Sequence, residues 1–470
     1  MEGIGYTYDD VLIIPQYSEI NSRKDVDLSV DLGHGIKLKL PVIASPMDTV
    51  CGSNMAINMA RAGGLGIIHR YCSIEEQVEM VIEVKRAQNY IIEKPYCISG
   101  TENVSRAREI MKEKKVGSLI VSLDGKLNGI VSHRDIRHCT GMELIDNVCT
   151  RNGTVYMPEV DVSLENAREL MQKHRIKTIP ITKSKEELEI RGLVTEKDIM
   201  NQVRFPNMVL DGKGRLLVGA SVGIKGDYLE RSKELIEAGI DVLLIDVAFG
   251  NNKRVIECIA ELRKLYPKVL LISGNVCTED GMKRMMEAGC DLVRVGIGPG
   301  SCCMTRVVAG VGFPQLSAIG SCSRVGAGIA DGGIKNSGDC AKALGAGARV
   351  VMLGGMLAGC EQSPGRLIRK NGKKYKVVRG MAGTMANLTR KEKMGESVDD
   401  IYDYVAEGVD AMVGYKGDVM DVLRQLEGGI RSGMSYVGAK NLEEFRKRVH
   451  FIQITGAGSR ENGAHDVVVD

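Results

Sequence analysis

The chain has 470 residues, room for two or three domains at roughly 150 residues each, or for one α/β barrel of about 250 residues plus a smaller insert. Lys and Arg total 63 against 60 for Asp and Glu, a net charge of +3, so no general field attracts nucleic acid or an acidic membrane surface. Hydrophobic residues at 44% and charged residues at 26% exclude a disordered or fibrous chain, while 56 glycines point to many tight turns and close backbone approaches.

The N-terminus, Met1-Glu2-Gly3-Ile4-Gly5-Tyr6, has neither a basic nor an apolar leader region, and no run of about 18 uncharged apolar residues follows. A cytoplasmic protein without membrane or nucleic-acid partners is expected, with its thirteen cysteines as reduced thiols. Zinc is set aside, because no CxxC pair recurs at finger spacing. Pro41–Ala44 and Gly64–Ile68 are predicted buried strands, the first ending in Ser45-Pro46-Met47-Asp48.

Between about 95 and 205 the texture changes and a repeat emerges. Helix Val104–Lys114 precedes Gly117–Val121 and Gly129–Asp135; helix Val162–His174 precedes Thr178–Ile181 and Gly192–Asp198. Each copy ends in Gly-apolar-Val-[Ser/Thr]-x-x-Asp, the two lying 63 residues apart. One such hydroxyl and carboxylate is an ordinary helix-capping box. Two in matching contexts resemble a tandem CBS (Bateman) pair. That resemblance implies a regulatory purine nucleotide held by Ser132 and Asp135 and by Thr195 and Asp198.

From about 215 onward, apolar runs Leu216–Val222, Val242–Val247, Val269–Ser273, Leu292–Val295, Gly328–Ala330 and Arg349–Leu353 alternate with amphipathic stretches. Continuous apolar strands between helices indicate a parallel sheet covered on both faces, with its site at the strands' C-terminal ends. The most specific segment is Gly296-Ile297-Gly298-Pro299-Gly300-Ser301-Cys302-Cys303-Met304-Thr305-Arg306. A strand opening into a glycine loop can wrap an anion in backbone amides, and a cysteine there would have its thiolate favoured. Asp331-Gly332-Gly333 and Gly354-Gly355 add two cradles suited to a ribose and a phosphate. One thiol beside phosphate loops suggests covalent chemistry on a nucleotide.

The segment resembles the GxGxGSxCxT loop shared by inosine-monophosphate dehydrogenases and guanosine-monophosphate reductases, and the likeness extends over essentially the whole chain. It implies a (β/α)8 TIM barrel, 1–94 and 206–470, interrupted by the CBS pair at 95–205, in a homotetramer with an octamer left open. By family spacing the nucleophile is Cys303 and the matching threonine Thr305, with Glu407 completing a proton relay. The resemblance also implies that Ser45, Ser301, Asp331, Gly333, Gly354, Gly355, Met381 and Gly383 hold GMP or IMP. It puts Asp246, Val247, Ala248, Asn275 and Gly296 at the nicotinamide cofactor. The carbonyls of Gly296, Gly298 and Cys303 match a family potassium site, which is left open.

Direction is read from departures. The dehydrogenase's Arg-Tyr pair, which activates water, has no counterpart between Gly380 and Gly408: Arg390 precedes Lys391, and Tyr402 and Tyr404 follow Ile401 and Asp403. Asp246-Val247-Ala248 resembles the reductase version of its strand end, whereas Ser45-Pro46-Met47-Asp48, the tail Ser459-Arg460-Glu461-Asn462 and a CBS insert resemble dehydrogenases. Val378-Arg379 departs from both families' tyrosine near the phosphate. The missing pair removes a required step, so the reading is an NADPH-dependent GMP reductase. A dehydrogenase using IMP and NAD is the alternative, and a catalytically silent nucleotide-sensing scaffold the third.

Overall fold

The computed structural model describes residues 3–88, 92, 95–151, 155–394 and 405–463, leaving the side chains of 164, 197, 198, 202, 393 and 394 undescribed. Two compact units emerge, one comprising Gln88–Pro206 and Gly212–Arg215, the other the rest of the chain.

The larger unit is a closed barrel of eight parallel strands: β1 (Val42–Ala44), β2 (Leu65–Ile68), β3 (Gly219–Val222), β4 (Val242–Asp246), β5 (Leu270–Val276), β6 (Leu292–Val295), β7 (Gly328–Asp331) and β8 (Val350–Leu353). The ring runs in chain order and closes β8 on β1 through Val351↔Val42 and Leu353↔Ala44, so the fold is the expected TIM barrel. β1 to β6 and β8 are buried at every position. That double-sided burial is why these segments read as unbroken apolar runs instead of alternating ones. Gly66 shows how tightly helices lie on them: a Cβ there would sit 2.4 Å from Ala56 Cα in helix Ser53–Arg61.

Strand ends differ from the pattern reading where polar residues are involved. β5 extends past Ser273 through Gly274-Asn275 to Val276, because Asn275 is buried and hydrogen-bonded to the neighbouring strand ends. β3 is shorter than predicted; Leu216 bridges back to Leu210 instead. Helix starts carry local caps: Asn252, Thr278 and Asn336 each accept from a backbone N–H of the first turn. After β8, strands β9 (Leu367–Lys370), β10 (Lys373–Arg379) and β11 (Asp410–Gly414) form an antiparallel sheet with β10 central.

The second unit contains two similar halves. In each, a short strand pairs in parallel with a second strand, which pairs antiparallel with a third: Cys97–Ser99, Ser118–Leu123 and Lys126–Ser132, then Met157–Pro158, Thr178–Thr182 and Ile190–Thr195. Helices Val104–Lys114 and Leu164–His174 both end on a left-handed residue, Lys115 and Arg175. Each half has its own core, around Val104, Met111 and Val131 or around Ala167, Ile179 and Val194.

Candidate active site

The cysteine loop leaves β6 at Val295. Gly296 and Gly298 take positive φ, 146° and 85°, and a Cβ on Gly296 would come within 2.3 Å of the Asp331 carbonyl oxygen. Glycine is therefore required where this loop crosses the end of β7. The Cys303 N–H donates to the Gly300 carbonyl at 3.0 Å, and its Sγ lies 3.2 Å from Thr305 Oγ1. Cys303 is half-buried, while neighbouring Cys302 is 6% exposed, and burial pushes its thiol up although Ser301 pulls the other way. Only one of the adjacent thiols is thus presented for attack.

Two distant backbone segments pin this loop. Met304 N–H donates to the Glu407 carbonyl at 2.7 Å, Val409 N–H to the Cys302 carbonyl at 3.1 Å, and Cys303 forms a bridge with Gly408. Gly380 N–H donates to Val409 and Glu407 N–H to Ala382, which draws Met381 and Gly383 beside the same loop. The Tyr71 hydroxyl donates to the Met381 carbonyl at 3.0 Å, and burial raises that hydroxyl's pKa to about 12, so it stays a donor. Cys303, Thr305, Glu407, Met381 and Gly383 therefore share one wall, with Glu407 tied in through its backbone.

Glycines at the ends of β7 and β8 pack against the same loop. A Cβ on Gly355 would meet Ser301 Oγ at 2.8 Å, and one on Gly354 would meet Met47 Sδ at 3.1 Å and Ser45 Cβ at 3.9 Å. Gly332 and Gly333 both have positive φ and lie against Pro299. Gly354 and Gly355 thus pack closely on Ser45 and Ser301, while Gly333 lies against Pro299 of the cysteine loop.

A buried ionic chain joins the ends of β4, β6 and β7. Arg294 Nη1 donates to Asp246 Oδ1 at 2.6 Å, and its Nε and Nη2 donate to Asp331 Oδ2 at 3.0 and 2.8 Å. Burial by itself would lower the Arg294 pKa, but Asp331 and Asp246 outweigh it and hold it above its ordinary value. Asn275 Nδ2 donates to Asp331 Oδ2 at 2.8 Å and to the Gly296 carbonyl at 2.9 Å, and Gln315 Nε2 donates to the Val295 carbonyl at 2.7 Å. Arg294, Gln315 and Tyr71 were not among the sequence candidates. The available signal was an arginine inside the otherwise apolar run Leu292–Val295.

The profile of the IMP dehydrogenase / GMP reductase domain matches residues 5–465. The chain belongs to this family. An inosine-5'-monophosphate dehydrogenase of Nitrosopumilus maritimus is 45% identical, covering 99% of this chain and 99% of its own. A GMP reductase of Leishmania major is 43% identical, covering 98% and 97%. Among solved structures, a cysteine-to-alanine GMP reductase from Trypanosoma brucei in complex with guanosine 5'-monophosphate superposes with a TM-score of 0.91 at 43% identity, covering 99% of both chains. By family, then, this is an oxidoreductase of purine metabolism that uses a nicotinamide cofactor.

Against that family background, the departure at Val378-Arg379 acquires a structure. Val378 is buried, and Arg379 turns to Asp48, with Nε 2.8 Å from Oδ2, and to Thr389 Oγ1 at 3.2 Å. The cation therefore fastens the segment after β10 to the turn after β1. Asp246 ends β4, Val247 is half-buried and Ala248 exposed. In the second unit, Ser132 donates to Asp135 Oδ2 twice, from N–H and from Oγ, both at 2.7 Å. The residues that follow Ser132 form turns, not the helix start a capping box implies. Thr195 N-caps helix Glu196–Arg204, and the Asp198 side chain lies outside the described residues. Of the three carbonyls in the implied potassium site, that of Gly296 already accepts from Asn275, so a cation there would share it. Among the described residues no cluster of His, Cys, Asp and Glu could hold a metal, and no helix is long and apolar enough to cross a membrane.

Proposed function

We propose that the chain is a GMP reductase, converting GMP and NADPH to IMP, ammonia and NADP through a covalent cysteine adduct. The observation that carries the direction is the absence of an Arg-Tyr pair between Gly380 and Gly408, where the dehydrogenase chemistry needs a base for water. Losing a general base costs about 10²–10⁴-fold, enough to leave hydrolysis uncompetitive with hydride delivery. Asp246-Val247-Ala248 supports the same reading.

In this reading the Cys303 thiolate adds to C2 of the purine, the base being addressed by Met381 and Gly383. Thr305, 3.2 Å from Sγ, relays a proton between Glu407 and the 2-amino group, which leaves as ammonia. Asp331 holds the ribose hydroxyls, and Ser45, Ser301, Gly333, Gly354 and Gly355 hold the phosphate. A nicotinamide cofactor held beside the base would supply the hydride that C2 requires, and Cys303 would then leave as thiolate, giving IMP. Residues Asp246, Val247, Ala248, Asn275 and Gly296 are the proposed cofactor contacts. Asn275 Oδ1 is a buried acceptor without a hydrogen-bond partner among the described residues. No step uses the potassium site at Gly296, Gly298 and Cys303.

A second reading, IMP dehydrogenase, has a specific observation behind it: the Nitrosopumilus relative of that name is 45% identical against 43% for the Leishmania reductase. The deciding experiment follows NADPH absorbance and ammonia release with GMP, beside XMP formation from IMP and NAD. Comparable or faster XMP formation overturns the reductase reading. The inserted unit is proposed to be a CBS pair, at 95–205 by sequence, binding regulatory purine nucleotides through Ser132, Asp135, Thr195 and Asp198. A cytoplasmic homotetramer is the proposed working form.

A further inference from the structure

Asp246 and Asp331 end strands β4 and β7, which are separated by β5 and β6, yet one side chain touches both. Arg294 sits in β6 and spans the gap with a guanidinium whose three nitrogens are all engaged. The side chains of Arg294, Asp246 and Asp331 are 8%, 12% and 13% exposed, so little water screens these contacts. All donors to the Asp331 carboxylate, Nε, Nη2 and Asn275 Nδ2, reach the same oxygen, Oδ2, which leaves Oδ1 to an incoming hydroxyl. Asp246 Oδ2 faces Arg70 Nε at 3.8 Å, and the Arg70 guanidinium lies 5.0 Å over the ring of Tyr71, the residue bonded to Met381.

We propose that Arg294 is a positioning residue through which substrate and nicotinamide cofactor strengthen each other's binding. The inference rests on the assignment of Asp331 to the substrate ribose and Asp246 to the cofactor. A guanidinium is planar and rigid, so fixing one carboxylate on it orients the other. A substrate hydroxyl on Asp331 sets that carboxylate's plane, the plane sets Arg294, and Arg294 sets Asp246. A ligand on either carboxylate thus biases the orientation of the other through the shared guanidinium. Linkage requires the effect to be equal in both directions. Lysine cannot substitute, since its single ammonium reaches one carboxylate at a time while keeping the charge.

The test uses full-length Cys303→Ala protein, in which no adduct forms and both ligands bind without turnover. Calorimetry gives the Kd of GMP alone and at saturating NADPH, and the reverse. GMP should bind about 5–150-fold tighter with NADPH present, by the same factor in both orders. In Arg294→Lys the factor should fall to about 1, whatever the change in the Kd of GMP alone. Asp246→Asn, which leaves the Arg294–Asp331 contact in place, should also bring the factor to about 1. The proposal is overturned if the parent shows no coupling with either ligand pair or if Arg294→Lys keeps it. It also fails if Arg294→Lys abolishes GMP binding while Asp246→Asn retains full coupling, since Arg294 would then only hold Asp331. Running IMP with NAD alongside separates the two inferences: Arg294-dependent coupling for that pair, absent for GMP with NADPH, supports the link and overturns the reductase direction.

Discussion

Two adjacent cysteines with opposite surroundings show how much chemistry hangs on single residues. Cys302 is buried and its carbonyl accepts from the Val409 N–H, whereas Cys303 is half-buried with Thr305 beside its sulfur. Cys303→Ala should abolish turnover with GMP or IMP, and Cys302→Ala should lower thermal stability and leave turnover within a few-fold; equal loss in both would undo the assignment. Sequence pattern could not separate the two thiols, and only the family spacing did. Tyr71 and Arg294 went unnoticed for a related reason. Their value lies in partners at Met381, Asp246 and Asp331, which are far away in the chain and adjacent only once the barrel closes.

At the level of elements, polar residues decide how segments are held at their ends. Lys85, near the end of helix Ile74–Ala87, places Nζ 2.9 Å from Asp211 and 2.7 Å from Asp241, with all three side chains largely buried. Burial raises the Asp241 pKa even though Lys85 opposes it, so the pair of carboxylates depends on that cation. Lys85→Met removes the cation shared by two largely buried carboxylates and should cost about 3–5 kcal/mol in denaturant unfolding; a loss below 1 kcal/mol would show the site to be open to water. In the second unit, Glu143 accepts from Thr140 N–H, Thr140 Oγ1 and Gly141 N–H at 2.8–2.9 Å, which lowers its pKa from 4.5 to about 2. A carboxyl lowered by folding stabilises above its ordinary pKa, and the effect is lost as pH falls from about 4.5 through 2. Glu143→Gln should therefore reduce amide-exchange protection at Thr140 and Gly141 near pH 6 and make no difference near pH 2. The barrel strands themselves were legible because burial on both faces leaves an uninterrupted apolar run. Their ends were not, since Asn275 belongs to β5 by virtue of partners on β6 and β7.

Across the whole molecule, barrel and insert have separate cores, and their functions are separable by substitution. In the full-length chain, Asp135→Asn should weaken binding of purine nucleotides to the insert without changing Kd for GMP at the barrel; calorimetry showing a single unaltered class of sites would refute the CBS assignment. The amino-acid sequence by itself determined the strands of a parallel sheet, the repeat and the glycine–cysteine loop, because each is written in local periodicity or in contiguous residues; the closed barrel was implied by the family resemblance. The sequence also determined the absence of an Arg-Tyr pair between Gly380 and Gly408. The tertiary structure alone decided that Cys302 is buried, that Arg379 reaches Asp48, and that Arg294 joins two carboxylates from separate strands. Those outcomes depend on desolvation and on distances set by closing eight strands into a ring, and neither quantity exists until the chain has folded.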